Sequence, residues 1–363
     1  MDEVTTLQAR DYKRGEQGFS LVEVLIAIVV MTIVTGAIFA LLRDSMKTSQ
    51  ATMELTDAQE SARTGQEYIT RDLVNTGDGL NSLNNISVPE GFVTNYLTQS
   101  PVTDGAPAGL INLGLITADN NVPVNTLVLG TAPAVQVRST PYLTDRITIL
   151  QLERPEIFTP ITLAAGALTP ADGVAVVSPV DIDHFRVGEI YFITSAVGGI
   201  FATIRELRDV ATPTPKLVFA AGDVYGLNSV NQLNAITAGA TLPISIMRMK
   251  LIHYYINSDG LLMRRVFGVK GNGFSESVIA EHVVSLQFRY FLNLRDADGN
   301  VVQPTAQLAT SQEQVETRQI EVTLVVETPH SLQNGKPQQI SMTTSTSVRN
   351  MQFRQSLQPT AGG

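Results

Sequence analysis

The chain has 363 residues, 44% of them hydrophobic and 16% charged, a balance that suits a folded protein rather than a disordered one. Its formal net charge of −9, with no basic stripe, argues against non-specific nucleic-acid binding, which needs clustered Lys and Arg. Cysteine is absent, which excludes disulfides, thiolate metal sites, cysteine nucleophiles and lipoprotein attachment.

The first element is an apolar run, FSLVEVLIAIVVMTIVTGAIFALL, from Phe19 to Leu42. As a helix it would span about 36 Å, more than the roughly 30 Å of a bilayer core. Glu23 is its one ionisable side chain. Lys13 and Arg14 precede it, which predicts a cytoplasmic start, although Arg43 and Lys47 follow. An ordinary secretory signal is shorter, and its small-residue cleavage site comes after the apolar region. Here the small residue, Gly18, comes before it. Cleavage there would remove a polar leader, 1–18, and leave the helix on the mature chain.

The stretch G-F-S-L-V-E-V-L-I-A, with Gly18, Phe19 and Glu23 in the motif positions, resembles the class III signal of type IV prepilins and type II secretion pseudopilins. That resemblance implies cleavage after Gly18 by an inner-membrane prepilin peptidase, N-methylation of Phe19, and retention of Glu23 for assembly. The competing reading is an uncleaved anchor in which Glu23 is incidental. A carboxylate near the end of a membrane helix is tolerated where it reaches the interface or finds a partner. Cleavage would create an amine at Phe19, one helical turn from Glu23. Pairing with a neighbouring subunit and pairing within one chain both remain open from sequence.

The helix is expected to continue to about residue 75. Leu55, Ala58, Ala62, Gly65, Ile69 and Leu73 recur three or four apart, on one face, with Glu54, Asp57, Glu60, Arg63 and Glu67 on others. This divides the helix into a membrane or filament-core half, 19–42, and an amphipathic half, 43–76. Residues 77–125, rich in Gly, Asn and Pro, read as an irregular connection with short elements.

From residue 126 to 353 the pattern is β. Strands are predicted at 126–130, 146–153, 173–178, 189–194, 200–210, 216–220, 244–257, 261–269, 283–292, 318–328 and 340–350. Ser258-Asp259-Gly260 marks a hairpin turn. Residues 303–317 read as an exposed loop, and 354–363 as a flexible tail. The motifs ESARTGQEYITRDLVNTG, TDRITIL, YYINSDGLLMRR, VIAEHVVSLQFRYFLNLRDADG and VRNM resemble those of PilW-type minor pilins, and the related secretion pseudopilin J shares similar ones. Residues 155–245 match no such motif and read as a β-rich insertion.

Other candidate sites have plainer readings. Asp296-Ala-Asp298-Gly299-Asn300 invites calcium, but its Gly is fourth, and an EF-hand loop needs Gly sixth and an acid twelfth. A hairpin turn fits better. Asp181, Asp183 and His184 cluster in VDIDHF, which alternates like a strand end. The glycines of GVKGNGF (268–274) precede a strand pattern, so they fail the dinucleotide context and read as a turn. Tyr254, Tyr255 and Tyr290 read as core or interface residues. His184, His253, His282 and His330 show no ligand spacing, and no G-x-S-x-G elbow is present.

The expected fold is α+β and pilin-like: a long N-terminal helix packed on an antiparallel head with an extra β region. The expected function is structural, a minor pilin acting in priming or at the tip of a type IV pilus, without catalytic residues, metal or cofactor. A type II secretion pseudopilin is one alternative. A membrane-anchored periplasmic enzyme or binding protein with a prepilin-like anchor is another. Expected partners are the prepilin peptidase, other minor and major pilins and the inner membrane, with no nucleic acid. The expected location is the inner membrane, single pass, with a periplasmic head that reaches the cell surface in the pilus.

Overall fold

The computed structural model describes residues 19–77, 86–97, 109–123, 143–153, 160–195, 198–228, 233–234, 244–268, 273–330 and 337–348. Two compact units divide the chain, Met1–Met53 and Glu54–Gly363. Helix α1 (Leu21–Val74) contributes to both. Gly18 and the rest of the expected leader, the expected strand at 126–130 and the expected tail lie outside the described residues.

In the first unit, every residue of α1 from Leu21 to Gln50 is exposed. The run is long and apolar enough to cross a membrane. It contains no Pro, and two of its hydroxyls bond back into the helix. Thr32 Oγ1 donates to the Ile28 carbonyl (2.7 Å) and Thr48 Oγ1 to that of Asp44 (2.9 Å), so neither competes for a partner outside the helix.

In the second unit, α1 buries Ala58, Ala62, Gly65, Ile69 and Leu73, the face that the three-four spacing marks out. Leu55, expected there, is only half-buried. Glu54, expected on another face of the helix, is buried, with Oε1 3.1 Å from His330 Nδ1. Gly65 permits the closest approach. A Cβ built there would lie 2.7 Å from Leu324 Cδ2, 3.1 Å from Leu262 Cδ2 and 3.3 Å from Ala280 Cβ.

The strands, in chain order, are β1 (Ile86–Pro89), β2 (Leu110–Leu113), β3 (Ile116–Pro123), β4 (Leu143–Leu152), β5 (Ile161–Leu163), β6 (Leu168–Thr169), β7 (Val174–Val176), β8 (Ile190–Thr194) and β9 (Gly199–Thr203). They continue with β10 (Glu206–Arg208), β11 (Lys216–Val218), β12 (Ile244–Ile256), β13 (Leu262–Phe267), β14 (Phe274–Ala280), β15 (Val283–Leu292), β16 (Thr317–Glu327) and β17 (Gln339–Ser347).

Strand β12 organises the largest sheet. Its first half pairs with β5 and β8, and its second half with β4 and β13, all antiparallel. The change of partner on one edge falls at Gly268, which has φ +91°. A Cβ there would sit 2.3 Å from the Met249 carbonyl oxygen, so only glycine fits. Strands β15, β16 and β17 form a separate antiparallel sheet. Gln66 of α1 docks on it, accepting from Thr344 Oγ1 (3.2 Å) and donating to the Val322 carbonyl (3.5 Å). Leu262, Ala280 and Leu324, the neighbours of Gly65, come from both sheets, so α1 covers the seam between them.

Two hydrophobic cores result. The larger gathers α1, β1–β4, the second half of β12, and β13–β16. A second core lies within residues 161–246 and includes Phe185, Tyr191, Leu217 and Phe219, partly under the small sheet β10-β11-β7-β6.

Several expectations need correction. The stretch 77–125 is more than a connection, because β1, β2 and β3 pack Ile86, Val88, Ile111, Leu113 and Ile116 into the main core. Polar Asp119, Asn120 and Asn121 concealed β3 from a hydropathy reading. The single strand expected at 200–210 breaks at Ile204-Arg205 into β9 and β10, which belong to different sheets. Loop 303–317 contains helix α2 (Ser311–Val315) with a capping box. Thr310 Oγ1 accepts the Glu313 amide, and Glu313 Oε2 accepts the Thr310 amide, both at 3.2 Å. FSESVIA, unassigned from sequence, is strand β14, and its Ser275, Glu276, Ser277 and Val278 are exposed, so it shows no apolar alternation.

Candidate functional site

Phe19 and Ser20 precede the helix and are exposed. Ser20 caps it. The Ser20 carbonyl accepts the Val24 amide (3.1 Å), the first turn's bond. Ser20 Oγ accepts the Val22 amide (3.3 Å), and the Ser20 amide donates to Glu23 Oε2 (2.9 Å). Glu23 supplies its half of an S-x-x-E capping box, while Ser20 Oγ takes the amide of Val22 rather than that of Glu23, and the carboxylate sits in the first turn, where the helix dipole favours it. Glu23 therefore already has a partner in its own chain, one that the sequence reading overlooked. The signal was in Ser20-Leu21-Val22-Glu23 itself.

A family model described as the prokaryotic N-terminal methylation motif matches residues 13–39. The match covers Gly18, Phe19, Ser20 and Glu23 and all but the last three residues of the apolar run 19–42. The chain is a type IV prepilin-like protein. No curated protein matches this prepilin-like chain.

The head of the prepilin-like chain holds a second polar constellation, on β14, β13, β12, β4 and β3. Glu276 Oε1 accepts from Arg265 Nε (2.7 Å) and from the Tyr255 hydroxyl (2.5 Å). Arg265 Nη2 donates to the Tyr255 hydroxyl (2.8 Å), and its guanidinium lies 4.1 Å from the Phe274 ring centroid. His253 stacks on Tyr255 at 5.3 Å, with Nδ1 2.9 Å from Thr148 Oγ1. Arg146 binds Asp119 Oδ2 through Nε (3.0 Å) and Nη2 (2.7 Å). Burial, reinforced by Arg146 and Arg265, holds His253 well below the usual imidazole range, so it stays neutral. Most of these groups pair with one another, while Arg265 Nη1 is buried without a hydrogen bond. Thr148 and His253 are both buried, and the arrangement is a polar layer that runs from buried Asp119 to exposed Glu276.

Beside it, Thr144 and Asp145 join the two sheets. Thr144 Oγ1 bonds both the amide and the carbonyl of Leu286 (3.2 Å each). Asp145 Oδ2 accepts the Phe288 amide (2.7 Å), and Oδ1 accepts that of Asn121 (2.8 Å). Side chains of β4 thus occupy backbone groups on the β15 edge that another strand would otherwise pair. Burial pushes the Asp145 carboxyl up to about 6, against the pull of those two amides and with a further push from Asp119.

The remaining sequence candidates resolve individually. Asp296 Oδ1 accepts the amides of Asp298 (3.0 Å) and Asn300 (2.8 Å), and Arg295 bridges Val301, which is a hairpin turn. Asp183 and His184 lie in a single 3₁₀ turn (Ile182–His184) that follows Asp181, rather than at a strand end. Gly268 and Gly273 flank the β13–β14 connection, and residues 269–272 are outside the described set. Tyr254, Tyr255 and Tyr290 are buried. Among the described residues, no group of three His, Asp or Glu could hold a metal ion.

Proposed function

We propose that this prepilin-like chain is a minor pilin of a type IV pilus, of the PilW type, acting in priming or at the filament tip. The observation that carries this reading is the shared helix. One stretch of α1 bears the methylation motif, and a later stretch is the spine of a large β head. Such a chain delivers a folded head wherever its N-terminal helix is assembled. The prepilin peptidase cleaves after Gly18 and Phe19 is N-methylated. The chain waits in the inner membrane with a periplasmic head until other minor and major pilins take it up. It binds no nucleic acid and catalyses nothing itself. The PilW assignment rests on TDRITIL, which lies within β4, and on YYINSDGLLMRR, in the β12–β13 hairpin.

Deletion of the gene, followed by pilus counting and exoprotein assay, tests the assignment. Loss of surface pili with secretion intact supports it. Intact pili with lost secretion would assign the chain to a secretion pseudopilus instead.

A further inference from the structure

We propose that strand β17 is the docking edge for an extended segment of another protein, which adds to the sheet β15-β16-β17 as a fourth strand. Strand β17 (Gln339–Ser347) pairs with β16 on one side, and among the described residues no strand pairs with its other side. The register identifies the groups left over. The Thr328 amide donates to the Gln338 carbonyl (2.9 Å), and the Val348 amide donates to the Arg318 carbonyl (3.0 Å). The bonds of an antiparallel ladder alternate, so Ile340, Met342, Thr344 and Thr346 also bond β16. Gln339, Ser341, Thr343, Ser345 and Ser347 therefore turn their amides and carbonyls to the open side. Such a row is a template for another strand.

Two other edges of this molecule are blunted. Strand β14 carries Glu276 and shifts register against β13 at Leu262/Met263. On β15, Thr144, Asp145 and Thr305 take up edge groups of Leu286, Phe288 and Tyr290. Strand β17, QISMTTSTS, has no charge, Pro or Gly. Its two faces define the occupant. On the outer face Thr343 Oγ1 lies 3.0 Å from Thr323 Oγ1, and Ser345 Oγ accepts from Gln319 Nε2. Serine or threonine in a fourth strand would extend this hydroxyl ladder. On the inner face Ile340 and Met342 lie against the main core but are only half-buried. Aliphatic side chains opposite them would complete their burial. An uncharged segment that alternates aliphatic with hydroxyl residues meets both faces. A second copy of β17 does not. Paired antiparallel along its full length, about Thr343, it would set Ile340 opposite Thr346 and Met342 opposite Thr344.

The test adds a peptide of alternating valine and threonine, flanked by lysine for solubility, to the full-length chain in detergent. A peptide of the same composition with its valines in one block is the control. Binding is followed by fluorescence anisotropy, and amide exchange at residues 339–347 by NMR. In the chain alone the odd-numbered amides should exchange fast and the even-numbered ones slowly. The alternating peptide should bind more tightly than the control and protect the odd-numbered amides. Thr343→Pro should weaken binding about tenfold, the worth of one or two hydrogen bonds, and should spare the bonds to β16, because the amide it removes points outward. Ser341→Lys, which puts a charge on the same edge, should weaken binding likewise. An alternating peptide that fails to bind, or that binds wild type and both variants equally, would overturn the proposal. Odd-numbered amides already protected in the chain alone would also overturn it, and a dimeric mass by light scattering would then give the edge to a second copy.

Discussion

Asp72, in the last turns of α1, accepts a 2.7 Å hydrogen bond from the buried Tyr254 hydroxyl of β12 through Oδ2. The same oxygen accepts from Arg264 Nε of β13 at 2.7 Å, and the Asp72 carbonyl accepts from Gln151 Nε2 of β4 at 2.7 Å. One residue therefore ties the end of the helix to three strands. Burial, then the neighbouring Asp72 charge, raises the Tyr254 hydroxyl far above its ordinary value, so it remains a donor. Asp72→Ala should cost about 3 kcal/mol, because it strands a partly buried guanidinium. Tyr254→Phe should cost about 1 kcal/mol. Denaturant unfolding of the two single mutants and the double mutant should show strong coupling, with the pair far from additive.

The contact at Gly65 predicts a steric effect. Gly65→Leu must push Leu324 and Leu262 apart and should cost about 3 kcal/mol or more by overpacking. Four residues on, Ile69 is fully buried, and Ile69→Asp should cost roughly 4 kcal/mol by burying an unpaired charge. Both are measured on a fragment beginning near residue 45, which should fold as a soluble monomer. An unchanged melting temperature for Ile69→Asp would separate the helix from the head.

These residues show what the sequence made legible. Spacing marked Ala58, Ala62, Gly65, Ile69 and Leu73, because a helix face follows from period alone. The long strands around Tyr254 and Leu324 were legible from apolar runs. Asp72 was not, since nothing local distinguishes a carboxylate that clamps three strands from one that faces water. Asp119 and Asp145 were hidden for the same reason, their partners being set by sheet topology. The Ser20-Glu23 box was readable, but the membrane character of the segment drew the argument to distant partners for Glu23.

Asp145 gives a pH dependence with a definite sign. Its carboxyl is raised in the folded chain to about 6, from 3.8. Between those values the native state holds a proton that the unfolded chain has released. The stability this contributes is fully present below the unfolded value, and it is lost as pH rises through about 6. Two units correspond to roughly 3 kcal/mol. Asp145→Asn mimics the protonated form, so its stability relative to wild type should improve as pH rises from 3.8 to about 6. Urea unfolding across that range measures the difference, and a flat difference would place the carboxyl near its ordinary value.

Glu23→Ala removes one half of the cap and the only charge in the first turn. Membrane insertion should not suffer. Uptake into filaments should fall, because the carboxylate can no longer exchange its Ser20 amide for the Phe19 amine of a neighbour, a charged contact worth about 1–3 kcal/mol. Glu23→Gln keeps an acceptor for Ser20 and should be intermediate. Co-purification with sheared filaments at equal membrane levels reads this out, and equal uptake of wild type and Glu23→Ala would remove Glu23 from assembly.

Mass spectrometry of the N-terminus of the protein isolated from its host tests the central claim most directly. A prepilin-like chain processed at the matched motif should begin at Phe19, with one methyl group on its α-amine and Ser20 and Glu23 intact. A chain that keeps residues 1–18, or one that begins near residue 40 after loss of the apolar helix, would contradict it.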